Sequence, residues 1–512
     1  MFYGVSLVVL MPTGFPSSLV TDTKIPYIAD RPVGEDAYYM LTVAWNIAEK
    51  GRIVYNYDLV VTGIQPLSTF VYAGFAWFVQ FFNGSKWMLA RIVLVFNVIN
   101  LFILAHLIGC LARQLVKDQE SERYGIYDVA FTLTIFNFGL FEIITYSLET
   151  GIYLVLFAGC IIYSLKCATA RDQTVKNAVF LGILAGFAGL ARIDFGVCLF
   201  LFFIMILLLR QVKISFILTA GIVAFLIVIP WILWIYIETG KWIASSGSSE
   251  AAIISSSNFI RRFWSACFAL LNQATPWAVA RGGGLSAILV LVSLFCFCLW
   301  GMFRNSVLER LHNLASPKMK LFLCWFFALT LLGLIYFVCF HSNHFYNRYY
   351  APLSLIFLPL IAIVLSGKLY RRPKIVSAGV LSLFPVFFFC WALLINHSGG
   401  ISNSHTVVAG FIQKEFPSSV KTASFQSGVI GYFLPNVVNL DGKMNSAVLD
   451  CKTSQDWIDY LNREKIDVIF DWGNFLRWRP FVRHESFSKE WEEYRHPVPD
   501  GRTRCFIRKK AR

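Results

Sequence analysis

The sequence is short of charge. Of 512 residues, only 30 are Asp or Glu and 45 are Lys or Arg, 15% of the chain, against about 25% in ordinary soluble domains. So few ionisable side chains cannot clothe a soluble surface, and disorder, a disulfide-rich secreted fold and a coiled coil are excluded by the same arithmetic. The twelve cysteines offer no metal-ligand spacing; ten lie in or beside apolar stretches, where Cys acts as a small hydrophobe. Cys296 and Cys298 fall one residue short of a CxxC pair. Only Cys451 and Cys505 occupy a polar region, where an oxidising compartment would let them pair. No internal repeat is evident, which speaks against transporter folds built from duplicated halves.

What the chain has instead is apolar mass: 57% hydrophobic residues, with 48 Phe, 21 Tyr and 15 Trp. Uncharged runs near the ~20 residues that cross a bilayer recur down to residue 396, so the expected fold is mainly α, a polytopic membrane protein. Spans at 2–20, 87–111, 126–147, 150–166, 177–193, 195–211, 214–236, 285–303, 320–340, 350–366 and 375–396 give about eleven transmembrane helices. With the N-terminus cytoplasmic, the basic connectors around Arg113, Arg171, Lys213, Arg310 and Arg371 all fall on the cytoplasmic side, as the positive-inside rule requires. Counting 64–82 or 258–280 as crossings would invert that pattern, so both are expected to lie along the outer interface, the second as an amphipathic helix carrying Arg261 and Arg262. The first span is weak, holding Pro12 and Pro16 with no basic residue before it; a cleaved signal peptide would need that basic segment.

This divides the chain into a polytopic core, 1–396, with outer loops 21–86 and 237–284, and a C-terminal domain, 397–512, where charge rises and apolar runs shorten. By parity this tail is extracytoplasmic. Segments 420–425, 429–434, 436–440 and 466–472 read as strands and 454–465 as a helix, a small α/β domain. Its Trp457, Trp472, Trp478 and Trp491 are either core aromatics or a carbohydrate-binding surface.

The first outer loop is the most informative segment. Glu35 and Asp36 stand side by side just beyond the first span, ahead of the helical stretch 37–50. A carboxylate pair beside lipid is costly without a purpose; it can act as a general base toward a hydroxyl or ligate a divalent cation. The bland alternative is a helix start, where acidic residues are favoured.

GEDAYYMLTVAWNIAEKGRIVYN…TGIQPL resembles the first extracytoplasmic loop of the GT-C-fold membrane glycosyltransferases that use polyprenyl-phosphate sugars, those of arabinofuranosyl-, aminoarabinose- and O-mannosyl-transferring type. That pattern runs D/E-D-A-Y, a helix ending N-L/I-A-E-x-G, then V-Y/F-N and Gly-x-x-P-L/W. Ser147–Gly151 resembles the family's G-M-E-T, Leu190–Gly196 its L-x-R-x-D-G, Arg348–Leu353 its R-Y-x-x-P-L, and Gly428–Tyr432 with Asn439–Gly442 the tail's G-x-I-G-Y…D-x-D-G. The resemblance implies inverting transfer of a sugar from a polyprenyl-phosphate donor to an acceptor hydroxyl of a cell-envelope glycan, glycolipid or protein, outside a bacterial inner membrane. It involves membrane lipids and no nucleic acid.

Within that reading Asp36 is the expected base, although Glu35 stands where the family commonly has Asp, leaving open which carboxylate works. Arg348 is the preferred phosphate partner, since a guanidinium binds phosphate oxygens bidentately; the alternative is an anchor at a helix end. Arg192 with Asp194 is either part of the site or a structural pair, and Glu149 either a site residue or a helix start. Tyr39, Gln65 and His344 complete the substrate-binding candidates. His341 and His344, three apart, lack a third ligand, so no metal site is assigned, although part of the fold family uses a divalent cation. A transporter or flippase of lipid-linked sugars is the competing class, but it would carry ionisable groups at mid-membrane depth, whereas these lie at span ends. A polysaccharide polymerase or ligase is a third reading.

Overall fold

The computed structural model describes residues 11–20, 27–30, 32–116, 120–168, 171–242, 244–245, 259–274, 316–339, 346–369, 404–473 and 479–509. Predicted spans 285–303 and 375–396, most of 2–20, and His341, His344, Trp478, Cys296 and Cys298 lie outside them.

Among the described residues, four helices are long and apolar enough to cross a membrane: Lys86–Leu115, Ile214–Thr239, Pro317–Cys339 and the run Tyr346–Ser366. Three shorter apolar helices, Thr150–Lys166, Val175–Ala191 and Phe195–Leu208, start and stop within a few residues of their predicted limits. The chain is an integral membrane protein: outward-facing residues such as Ile222, Phe225, Leu226 and Ile237 of helix 214–239 are exposed, which only a lipid surround tolerates on this scale.

Packing follows from small residues and large rings. Helices 175–191 and 214–239 lie close because Gly182 and Gly186, four apart, present no side chain; a Cβ at Gly182 would come within 2.6 Å of the Ala220 carbonyl oxygen. Deeper in, Trp325 is fully buried and stacks 3.8 Å from Phe202. Its indole N–H donates to Ser164 Oγ at 2.9 Å, so the ring is buried without an orphaned donor.

Predicted span 126–147 is two helices, Glu120–Ile135 and Phe138–Thr145, with axes bent by 58°. The cause is Asn137, whose side chain accepts the Leu140 amide at 2.9 Å and so starts a new helix in mid-run. The expected interfacial segments are both helical, Pro66–Phe81 and Phe259–Ala274. The second carries Phe259, Ile260, Phe263 and Trp264 exposed.

The tail contains a five-stranded sheet ordered β2-β1-β3-β5-β4, with β1 Thr422–Ser424, β2 Val437–Asn439, β3 Val468–Trp472, β4 Trp491–Glu493 and β5 Thr503–Arg508. β1 pairs parallel with both β2 and β3, and β5 runs antiparallel to β3 and β4. Helix Ser454–Arg463 matches expectation, closed by a Thr453–Asp456 capping box. Segment 429–434 does not: Gly428–Phe433 is a helix, because its first amides are claimed by a carboxylate from the other end of the chain. The helix Ser404–Glu415 and strands β4 and β5 were not anticipated. Cys451 and Cys505 are separate free thiols, Cys505 being buried opposite Phe470 within the sheet. Trp457 and Trp491 belong to the tail's core, stacked on Phe481 and Phe487, and Trp472 lies over His405.

Candidate active site

The first-loop helix runs Glu35–Lys50 and stops at Gly51, whose left-handed conformation (φ 67°) lets its amide return to the Ile47 carbonyl. Its face toward the tail carries the carboxylate pair, and the two members have different surroundings. Glu35 spans the start of tail helix 428–433, accepting the Gly428 amide on Oε1 at 2.6 Å and the Val429 amide on Oε2 at 3.2 Å. A Cβ on Gly428 would sit 2.1 Å from the Glu35 carbonyl oxygen, so this close approach requires glycine. Burial raises the Glu35 pKa above the ordinary carboxylate value, opposed by His405 and by the two amides.

Asp36 keeps its side chain 28% exposed and lies 3.8 Å from the Lys443 ammonium. Beside it, Tyr39 donates its hydroxyl to Asp441 Oδ2 at 3.2 Å and accepts the Ser427 amide at 3.1 Å. Burial holds the Tyr39 phenol well above its usual pKa, so it stays protonated. Burial also pushes the Asp441 carboxyl up to about 6; Lys443 opposes the shift and Asp36 adds to it. The tail is further tied to the first loop through Tyr55, which donates to the Ser427 carbonyl at 2.8 Å, and Asn56, which donates to the Gly431 carbonyl at 2.9 Å.

A second charged group is reached through the residue that precedes the helix. The Gly34 amide donates to the Tyr146 carbonyl at 3.0 Å. Three residues beyond Tyr146, Glu149 is wholly buried. Arg348 grips it bidentately, Nε to Oε1 at 2.8 Å and Nη2 to Oε2 at 2.7 Å, and Arg192 Nη1 adds a third contact at 3.3 Å. Arg192 also forks onto Asp194, at 3.0 and 2.5 Å, and lies between the rings of Tyr153 and Tyr349, 5.4 and 5.2 Å from their centroids. Tyr336 donates its hydroxyl to Asp194. Two cations and two anions thus cancel, as burial demands, with Arg348 and Asp194 retaining some exposure.

Glu149, Arg192, Asp194 and Arg348 are therefore together, and Glu35, Asp36 and Tyr39 form a separate group on the first-loop helix. Gln65 heads helix 66–81, its carbonyl taking the Thr69 amide and hydroxyl, and among the described residues no hydrogen bond joins its side chain to either group. Asp441 and Lys443 were missed as site residues, though the Asn439–Gly442 motif pointed at their loop. Among the described residues no three His, Cys, Asp or Glu side chains gather as a metal site.

No family profile matches the sequence, and no curated protein matches it. The fold is found elsewhere: a crystal structure of ArnT from Cupriavidus metallidurans in the apo state superposes with a TM-score of 0.56, 12% identity, and coverage of 99% of this chain and 96% of that one. Two Archaeoglobus fulgidus oligosaccharyltransferase structures align at 0.49. One, tethered with an acceptor peptide, is 11% identical over 93% of this chain and 69% of its own. The other, AglB with an inhibitory peptide and a dolichol-phosphate, is 10% identical over 92% and 68%. The chain has the GT-C fold that its motifs resembled.

Proposed function

We propose that this protein is an inverting glycosyltransferase that moves a single sugar, hexosyl or pentosyl, from a polyprenyl-phosphate donor onto an acceptor hydroxyl at the outer membrane boundary. The observation that carries this reading is Asp36, a partly exposed carboxylate at the head of the first-loop helix of a GT-C fold. Its neighbour Glu35 has both oxygens engaged by backbone amides, which leaves Asp36 the better placed base.

In the reaction Asp36 takes the acceptor hydroxyl proton as that oxygen attacks the anomeric carbon from the face opposite the phosphate. The bond from the anomeric carbon to the phosphate oxygen breaks, and polyprenyl phosphate leaves with the electron pair. Arg348 serves the departing phosphate. Its Nε and Nη2 are held by Glu149, so the phosphate meets the remaining Nη1 edge, already rigid and needing no reorganisation. Arg192 and Asp194 then hold that arginine's carboxylate partner in place, and Tyr39 orients the tail side of the site.

The test uses purified protein in lipid, a panel of polyprenyl-phosphate monosaccharides and a crude acceptor extract, reading release of free polyprenyl phosphate. Release with one sugar by the wild type and not by Asp36→Asn supports the reading. Equal release by both removes Asp36 as base, and no release with any donor by folded protein would leave the GT-C likeness as fold alone.

A further inference from the structure

The tail motif Asn439-Leu440-Asp441-Gly442 is not used by the reaction as described, yet it builds a tight loop aimed at the first-loop helix. Gly442 takes a left-handed conformation (φ 86°), and the Lys443 amide donates to Asp441 Oδ1 at 2.7 Å, an Asx-type turn. The far side of the loop is pinned as well. Ser245 donates its hydroxyl to the Lys443 carbonyl at 2.8 Å, and the Ser245 amide donates to Thr62 Oγ1 at 3.2 Å. Three segments remote in sequence, around residues 62, 245 and 443, therefore fix where the Lys443 side chain begins. That side chain ends with its ammonium 3.8 Å from Asp36 Oδ1, and both groups stay open to solvent, at 22% and 28% exposure.

We propose that Lys443 is a positioning residue for Asp36: the tail loop Asp441–Lys443 delivers an ammonium beside the base and holds it aimed at the acceptor hydroxyl, so the tail completes the site. The inference rests on the glycosyltransferase reading for its chemistry. Asp36 is faced by Glu35 and the Tyr39 phenol on its own helix and by Asp441 and Lys443 from the tail, while His405 acts on Glu35 from helix 404–415. Deleting the ammonium removes the cation beside Asp36, and a carboxyl that has taken up a proton cannot accept another.

The test reads Asp36 without turnover. The full chain in lipid is treated across pH with a hydrophobic carbodiimide, which adds to protonated carboxyls, and the adduct is located by fragment mass spectrometry, with Asp36→Asn giving the background from Glu35. A unit charge at this separation in a solvated setting predicts that Lys443→Met raises the Asp36 labelling midpoint by roughly 0.5–1 pH unit. Lys443→Arg is expected to leave the midpoint in place. The acid limb of kcat/KM should move with the labelling midpoint in each variant. A midpoint unmoved in folded Lys443→Met would overturn the inference. Turnover surviving in Asp36→Asn would instead sink the glycosyltransferase base assignment, whatever the labelling shows.

Discussion

Two charged groups, one at the head of the first-loop helix and one around Glu149, are built on opposite plans. Around Glu149 every charge is matched: two arginines hold two carboxylates, Glu149 is wholly buried, and aromatic rings cover the faces of Arg192. Around Asp36 the matching is loose, with one ammonium at 3.8 Å and open solvent beyond it. Burial forces the first arrangement, because an uncompensated ion inside a membrane bundle costs several kcal/mol. In the proposed reaction the second must exchange a proton, and solvent access with a soft partner serves that. The tail supplies that partner, as it supplies the helix whose amides occupy Glu35.

The comparison breaks most sharply at Asp36. Asp36→Asn is expected to lower turnover by about 10²–10⁴-fold, the usual contribution of a positioned general base, while the thermal midpoint in lipid stays near wild type. Arg192→Leu should do the reverse first. It strips Glu149 of one cation and Asp194 of its fork, leaving buried negative charge, at a cost of about 3–5 kcal/mol, read as a lowered denaturation midpoint. If Arg192→Leu kept full stability and Asp36→Asn unfolded the chain, the two plans would have been assigned the wrong way round.

How much of this could be read beforehand depends on how local the causes are. The first-loop helix was legible because its stop, Gly51, and its carboxylates sit in one stretch. Helices 150–166 and 175–191 announce themselves by apolar composition. The bend at Asn137 was not legible, since an Asn inside an apolar run reads as one polar residue until its side chain is seen to cap. Helix 428–433 was misread as a strand because Val429, Ile430, Tyr432 and Phe433 all favour strands, and the carboxylate that starts it lies at Glu35. The arginine and glutamate of the buried cluster were each named from motifs, yet their pairing joins residues 199 apart, and no spacing rule reaches that far. Lys443 escaped for the same reason.

Glu35→Ala sharpens the contrast within the carboxylate pair itself. It strands the Gly428 and Val429 amides at the start of the tail helix, and losing such charge-assisted bonds costs about 1–3 kcal/mol. The expected signature is faster amide exchange across 428–433 with a modest fall in thermal midpoint, and turnover reduced through loosened docking. Asp36→Asn would leave that exchange unchanged. Equal exchange in both variants would mean that the pair acts as one unit.

The smallest effect concerns Asp441 and pH. Its carboxyl is raised by burial to about 6, above the ~3.9 of an unfolded aspartate, so between these values the folded state binds more protons than the unfolded one. Stability from this group is therefore fully present below pH ~4 and falls as pH rises through about 6. Asp441→Asn cannot ionise, and after allowance for its partial exposure it should be more stable than wild type at pH 7.5 by about 1–2 kcal/mol, with the advantage gone by pH 4. Denaturation midpoints of the two proteins in lipid across that range measure it. A gap that widened toward low pH would mean that Asp441 is held ionised in the folded protein by Lys443, and that the tail loop is as fully balanced in charge as the Glu149 cluster.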